Sequence, residues 1–203
     1  MKSKRVFFLG FLLISVTTII LGYEFNKGDN IPKGWFSAGS SPDSYEIGVE
    51  KSIGPNNSNA VYIKSIKSEI KGFGTLMQAF PAEKYLGKRI QLSGYMKSKD
   101  AAVSAGFWMR IDAKEDQKLQ LGFDNMQNRA VKGNTDWKLY EVVLDIPANS
   151  GLINIGALIV GTGEIWFSSL KFEEVDKSVP TTNMLSSAKY EKSSEPVNLN
   201  FKE

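Results

Sequence analysis

The chain is 203 residues long, 42% hydrophobic and 11% aromatic, which suits one globular domain with tails rather than a disordered polymer. It has no Cys and no His, so disulfides, zinc fingers, lipoprotein anchoring, thiol or Ser-His nucleophiles and imidazole acid-base chemistry are excluded. The net charge of +3 comes from Lys2, Lys4 and Arg5, the remaining 22 cations (25 − 3 = 22) balancing 22 anions, so the rest of the chain carries no basic excess of the kind that holds nucleic acid.

Those three cations precede an uncharged run, VFFLGFLLISVTTIILG, from Val6 to Gly22. A basic start followed by an apolar stretch is the pattern of an export signal or an apolar anchor helix. The run lies at the lower edge of the roughly 20 residues that a spanning helix needs. No run of small residues marks a cleavage point, and both forms stay open: residues 1–22 are a cleaved signal peptide, or they hold the protein to a membrane through residues 6–22. The positive-inside rule places everything after Gly22 outside the cytoplasm, membrane-anchored or secreted.

Residues 23–175 read as all-β. Period-2 or short apolar runs recur at Tyr45 to Val49, Ala60 to Ile66, Phe73 to Phe80, Arg89 to Met96, Val103 to Ile111, Leu119 to Asp124, Trp137 to Ile146, Ile153 to Val160 and Glu164 to Phe172. Runs of this length with Gly, Pro, Asn and Asp between them predict a two-sheet sandwich with jelly-roll or Greek-key connections. Gly161 to Gly163, GTG, is the one tight hairpin signal, and Pro81 to Lys88 suits a single helical turn. No sustained helical period offers a place for a helix-turn-helix. From residue 176 to 203 the chain turns rich in Ser, Thr, Lys and Pro, as an extended and mobile tail does. Pro196 to Glu203 regains strand character, either as a last docking strand or as the vestigial start of a second copy.

The stretch Asp124 to Trp137, DNMQNRAVKGNTDW, concentrates an acid, amides and cations between two predicted strands. Polar loops on a rigid β scaffold are where recognition commonly sits. Together with IPKGWF (Ile31 to Phe36), GFWMRID (Gly106 to Asp112) and IGALIVGTGEIWFSSLKFEEV (Ile155 to Val175), it resembles a family of bacterial extracytoplasmic domains with the galactose-binding-like jelly-roll fold, akin to carbohydrate-binding modules. The resemblance implies a jelly roll and no catalytic residue. Where many such sandwiches carry acidic residues after the last-strand Trp, this chain has Ser168 and Ser169, which argues against a structural calcium site.

Trp35, Trp108, Trp137 and Trp166, with Tyr95 and Tyr140, offer flat apolar faces on which sugar rings stack. Trp137 and Trp166 are assigned to the core ahead of a ligand, since Trp on sandwich strands is mostly interior. Trp35, in a Gly- and Pro-flanked loop, is the ring expected to be most exposed. Alternation within GFWMRID sends Phe107, Met109 and Ile111 inward and leaves Trp108, Arg110 and Asp112 as the floor of a groove. Arg110, Asp124, Asn125, Gln127, Asn128 and Arg129 would supply donors and acceptors to a hydroxyl-rich ligand. The competing reading is an internal brace in which Arg129 pairs with Asp124 or Asp136. Lys132-Gly133 and Asn134 to Asp136 read as turn chemistry.

No carboxylate pair suits hydrolysis. Glu115 with Asp116 and Glu173 with Glu174 are strand neighbours that face apart, while Asp124 and Asp136 share a loop with Arg129 and Lys132. The expectation is a non-catalytic extracytoplasmic binding module without cofactor or metal. Its ligand would be carbohydrate or another hydroxyl-rich cell-envelope component, bound through Trp35, Trp108, Arg110, Asp124, Asn125, Gln127 and Arg129. Nucleic acid is not an expected partner. The alternatives are a structural or protein-interaction domain of the envelope and, third, the sensory domain of a regulator.

Overall fold

The computed structural model describes residues 31–185, so the apolar run Val6 to Gly22 and the end Pro196 to Glu203 lie outside the described residues. Within them the chain forms nine strands and four short 3-10 turns. The strands are β1 (Phe36–Gly39), β2 (Tyr45–Glu50), β3 (Ala60–Ser65), β4 (Phe73–Pro81), β5 (Arg89–Ala113), β6 (Gln120–Asp124), β7 (Val131–Asp145), β8 (Ser150–Val160) and β9 (Glu164–Val175). All the pairings are antiparallel. Their order is β1-β4-β8-β5-β9-β3-β2, with β6 and β7 both pairing β5.

β5 is the spine. Its amino half pairs with β9 on one edge and β7 on the other, and its carboxyl half pairs with β8 and β6 on those same edges. One strand thus belongs to two layers: β7, β5, β9, β3 and β2 in layer one, and β6, β5, β8, β4 and β1 in layer two. The layers face each other because β5 changes which side chains it turns inward. Ile90, Leu92 and Met96 are core residues in its first half, and Phe107, Met109 and Ile111 in its second. Register shifts between Met96 and Ser98, Ser98 and Ala101, and Ala101 and Ala105 supply the change of parity, and Asp100 sits there at φ 52°. A one-residue slip sends every later side chain to the other face. The layers meet where Phe107 packs edge-on against Phe167, with ring centroids 6.1 Å apart.

Several elements differ from the sequence expectation. The runs Arg89 to Met96 and Val103 to Ile111 are one strand, because the intervening KSKDAA has neither Gly nor Pro and its backbone finds partners on β7. The expected loop Asp124 to Trp137 shortens to residues 125–130, since β7 begins at Val131. Gly161 to Gly163 is not a hairpin: β8 and β9 do not pair, and the three residues carry the chain from layer two to layer one. Gly163 sits at φ 123°, and a Cβ there would strike the carbonyl of Asp100. Phe36 to Gly39, which none of the predicted runs covers, pairs with β4 as a short edge strand.

The residues after β9, read as the start of a mobile tail, are anchored as far as they are described. Arg89 Nη1 donates to the carbonyls of Lys177 and Val179, both at 2.6 Å. Thr182 then pairs with Val143 on β7, its N–H donating to the Val143 carbonyl and its Oγ1 accepting from the Val143 N–H, each at 2.8 Å. Asn183 and Met184 do the same for Phe123 on β6, at 3.1 and 2.7 Å. Unpaired edge groups need partners, and this strap supplies them.

Tyr45 closes the end of the sandwich near the layer crossing. Its ring packs on Gly74, its OH donates to the Gly161 carbonyl at 2.7 Å, and burial raises its pKa from 10.0 to about 12. A pKa raised by folding means stability that is complete below the unfolded value and lost as pH rises through the folded one. Urea midpoints measured across that alkaline window should fall, and the fall should be smaller in Tyr45→Phe.

Candidate functional site

On the carboxyl half of β5, alternation turns Trp108, Arg110 and Asp112 away from the core, as the sequence predicts. Cross-strand register then builds the outer face of layer two. Trp108 lies opposite Gly156, Gly156 opposite Met77 and Met77 opposite Phe36. In the next row Arg110 lies between Asn154 on β8 and Phe123 on β6. A polar centre is therefore flanked by aromatic rings contributed by strands distant in sequence.

Arg110 grips Asp112 with both prongs of its guanidinium, Nε to Oδ1 at 2.8 Å and Nη2 to Oδ2 at 2.9 Å. Asn154 Nδ2 donates to the same Oδ2 at 2.8 Å. Arg110 keeps 8% of its surface exposed and Asp112 only 1%, so the pair is held nearly dry. Removing charges from water is tolerable only when such bonds replace hydration. The indole of Trp108 is fixed just as firmly. Its Nε1 donates to Thr75 Oγ1 at 2.9 Å, and Thr75 Oγ1 donates to the Ala157 carbonyl at 2.7 Å. To reach β4 the ring must cross β8, and it crosses at Gly156, where a Cβ would meet Nε1 at 2.7 Å. Gly at that point is a steric requirement for the pose of the indole.

The other candidates from the sequence are not brought to this face. Asp124 pairs in register with the inward residue Met109 and is fully buried. It accepts from both terminal nitrogens of Arg129, at 3.2 and 2.6 Å, and from the Met126 N–H at 2.7 Å. Arg129 Nη2 also donates to the Glu141 carbonyl at 2.7 Å, which ties the loop to β7. Asn125 accepts from the Gln127 N–H at 3.2 Å and shapes the following 3-10 turn, while the side chain of Gln127 points to solvent. The internal-brace reading of this loop holds, with Asp124 rather than Asp136 as the partner. Trp35, expected to be the most exposed ring, is half-buried against the core with its centroid 6.4 Å from that of Phe167. Conversely Trp137 and Trp166, assigned to the core, lie on the outer face of layer one, where Lys97 sits over both rings.

The single concavity anticipated from the sequence therefore does not form. Antiparallel pairing of β5 with β6 puts Asp124 opposite Met109 and Asp112 opposite Gln120, which leaves Asp124 and Arg110 on opposite sides of the sheet. Thr75, Asn154 and Gly156 escaped sequence reasoning because nothing near them in the chain marks them. Among the described residues no three acidic side chains converge as a bound metal would require. Ser168 Oγ instead donates to the Asn59 carbonyl at 2.7 Å and lies 2.8 Å from Ser58 Oγ.

No protein-family model matches the chain. It is 43% identical over 172 residues to a Bacillus subtilis protein described as the uncharacterized HTH-type transcriptional regulator YbfP, a stretch that is 84% of this chain and 57% of that relative. The chain thus spans little more than half the length of the curated relative it matches. Among solved structures it is similar to the CBM22-1 xylan-binding domain from Paenibacillus barcinonensis Xyn10C, with a TM-score of 0.51 and 11% identity over 72% of this chain and 89% of that one. It is also similar to the enzymatically active domain of bacteriophage CBA120 tailspike protein 4, with a TM-score of 0.53 and 12% identity over 70% of this chain and 20% of that one. The CBM22-1-GH10 modules of Clostridium thermocellum xylanase 10B match with a TM-score of 0.51 and 10% identity, over 70% of this chain and 26% of that one. Likeness at this level of identity establishes a shared jelly-roll-like, all-β fold.

The Asp124–Arg129 brace is a stability element, and its energetics should show coupling. Arg129→Ala leaves a carboxylate with no exposure unpaired and should cost about 3 kcal/mol in urea unfolding. Adding Asp124→Ala should cost much less than the sum of the single variants.

Proposed function

We propose that this domain is a non-catalytic binding module for a hydroxyl-rich ligand, carbohydrate foremost, and that the ligand is taken on the outer face of layer two. The observation that carries the reading is the Arg110–Asp112–Asn154 network beside the fixed indole of Trp108 on the side of the sheet turned from the core. Trp108 and Arg110 keep 7% and 8% of their surface exposed there, and Asp112 and Asn154 1% and 2%, so a ligand would reach only the edges of the indole and the guanidinium. Sugar rings combine an apolar face with hydroxyls that donate and accept, and they match an aromatic wall next to preset amide and guanidinium groups. Phe36 and Phe123, both half-buried, bracket that centre. The fold shared with xylan-binding domains supports the proposal, although it says nothing by itself about the site.

Asp112 is already paired with Arg110 within the site, and Asp124 with Arg129 on the other side of the sheet, and this supports a binding rather than a hydrolytic role. The basic and apolar start of the chain supports a place outside the cytoplasm, anchored through residues 6–22 or released, where carbohydrate or another envelope component would be the partner. One observation favours a second reading. The 43% identity with a protein named as an HTH-type regulator fits a sensory domain that binds its ligand at the same face.

A glycan array probed with the whole protein should give reproducible saccharide binding that weakens at least tenfold in Trp108→Ala. Blank arrays together with capture of an envelope protein would replace this proposal with the interaction-domain alternative. Cell fractionation should recover the protein from membranes or medium, and recovery from the cytosol would favour the sensory reading.

A further inference from the structure

The outer face of layer one holds a second group of aromatic side chains, remote from the network on layer two. Lys97 on β5 lies opposite Trp166 on β9, and Trp166 opposite Tyr62 on β3. Trp137 on β7 flanks Lys97 from the other side. The Lys97 ammonium is 4.5 Å from the ring centroid of Trp166 and 5.3 Å from that of Trp137, so two indoles grip one cation. None of the neighbouring carboxylates pairs with Lys97 among the described residues, and two of them accept from uncharged donors. Glu50 accepts from Trp166 Nε1 at 3.2 Å, and Glu46 accepts from the Tyr62 hydroxyl at 2.7 Å. Glu164 stands in register between Lys64 and Lys99. Lys97 itself forms no ion pair and spends none of its hydrogen-bond donors among the described residues.

We propose that this face is a second ligand site, independent of the layer-two reading, and that it takes a saccharide bearing a carboxylate, a uronic acid unit. The carboxylate pairs with the Lys97 ammonium while the sugar ring packs against the exposed part of Trp137 or Trp166. A solvent-exposed lysine gains little from an ion pair, because ordering its long side chain offsets most of the attraction. Here the indoles have already ordered the ammonium and removed part of its water, so an arriving anion meets a preset partner. The aromatic walls explain why the anion should be carried by a sugar: a bare carboxylate would use the charge and leave the rings unused. A neutral sugar would use the rings and leave the ammonium unpaired.

The probe is oligogalacturonate, compared by titration calorimetry on the whole protein with its methyl ester, which has the same rings without the charge, and with poly-glutamate, which has the charge without the rings. The acid should bind at least tenfold more tightly than either, and more weakly as salt is raised. Lys97→Gln should erase the preference for acid over ester, Lys97→Arg should keep it, and Trp166→Ala should weaken both sugars, with circular dichroism confirming that each variant is folded. Trp108→Ala should keep the preference for acid over ester, which separates this site from the one on layer two. The proposal is overturned if oligogalacturonate does not bind, if acid and ester bind equally, if poly-glutamate binds as tightly as the sugar, or if Lys97→Gln retains the preference.

Discussion

Continuity of β5 is the constraint on which the rest of the structure depends. A strand whose two halves pair with different partners on both edges is shared by two layers, and those layers can enclose a core only if the inward-facing set changes midway. The register shifts against β7 between Met96 and Ala105 make that change. They cost some regularity of the ladder. In return Met96 and Phe107, from opposite halves of one strand, face the same core, and Phe107 meets Phe167 across it.

The same parity decides what the outer faces carry. Once Phe107, Met109 and Ile111 are committed inward, Trp108, Arg110 and Asp112 have no choice but the far side. They meet there whatever β8, β4 and β6 present, namely Asn154, Gly156, Thr75 and Phe123. The ion pair Arg110–Asp112 is local, with its partners two residues apart on one strand and therefore on one face. Its third member and the anchor of the indole come from other strands. Layer one behaves likewise: because Ile165 and Phe167 are inward, Trp166 is outward beside Lys97.

Edges and corners account for the polar segments. The stretch that looks in sequence like a recognition loop is a brace, because β6 and β7 lie end to end along one edge of β5 and the chain between them must cross a buried corner. Asp124 and Arg129 neutralise each other there, and Met126 places its sulfur 3.2 Å from the Phe107 N–H, which donates to it. The strap from Asp176 to Leu185 performs a similar task on the open edges of β7 and β6, with Arg89 as its clasp. Arg89 is bound at the same time to both carboxylate oxygens of Asp145, and this partner holds the Asp145 carboxyl below its ordinary range.

Composition and period 2 determined by themselves that the described chain is all-β, where most strands run, and which residues of GFWMRID turn inward. Each of these depends only on neighbours in sequence, since alternation is a property of a single strand. The chain alone also held Arg110 and Asp112 to one face. Tertiary structure decided the rest. It joined two runs into one strand, turned the GTG segment from a hairpin into a layer crossing, and sent Trp35 inward while leaving Trp137 and Trp166 outside. It separated Asp124 from Arg110, and it brought Thr75, Asn154 and Gly156 to the candidate site. Which face of a sheet meets a second layer, and which strands lie side by side, are settled by pairing between segments tens of residues apart. No local pattern of side chains encodes that choice.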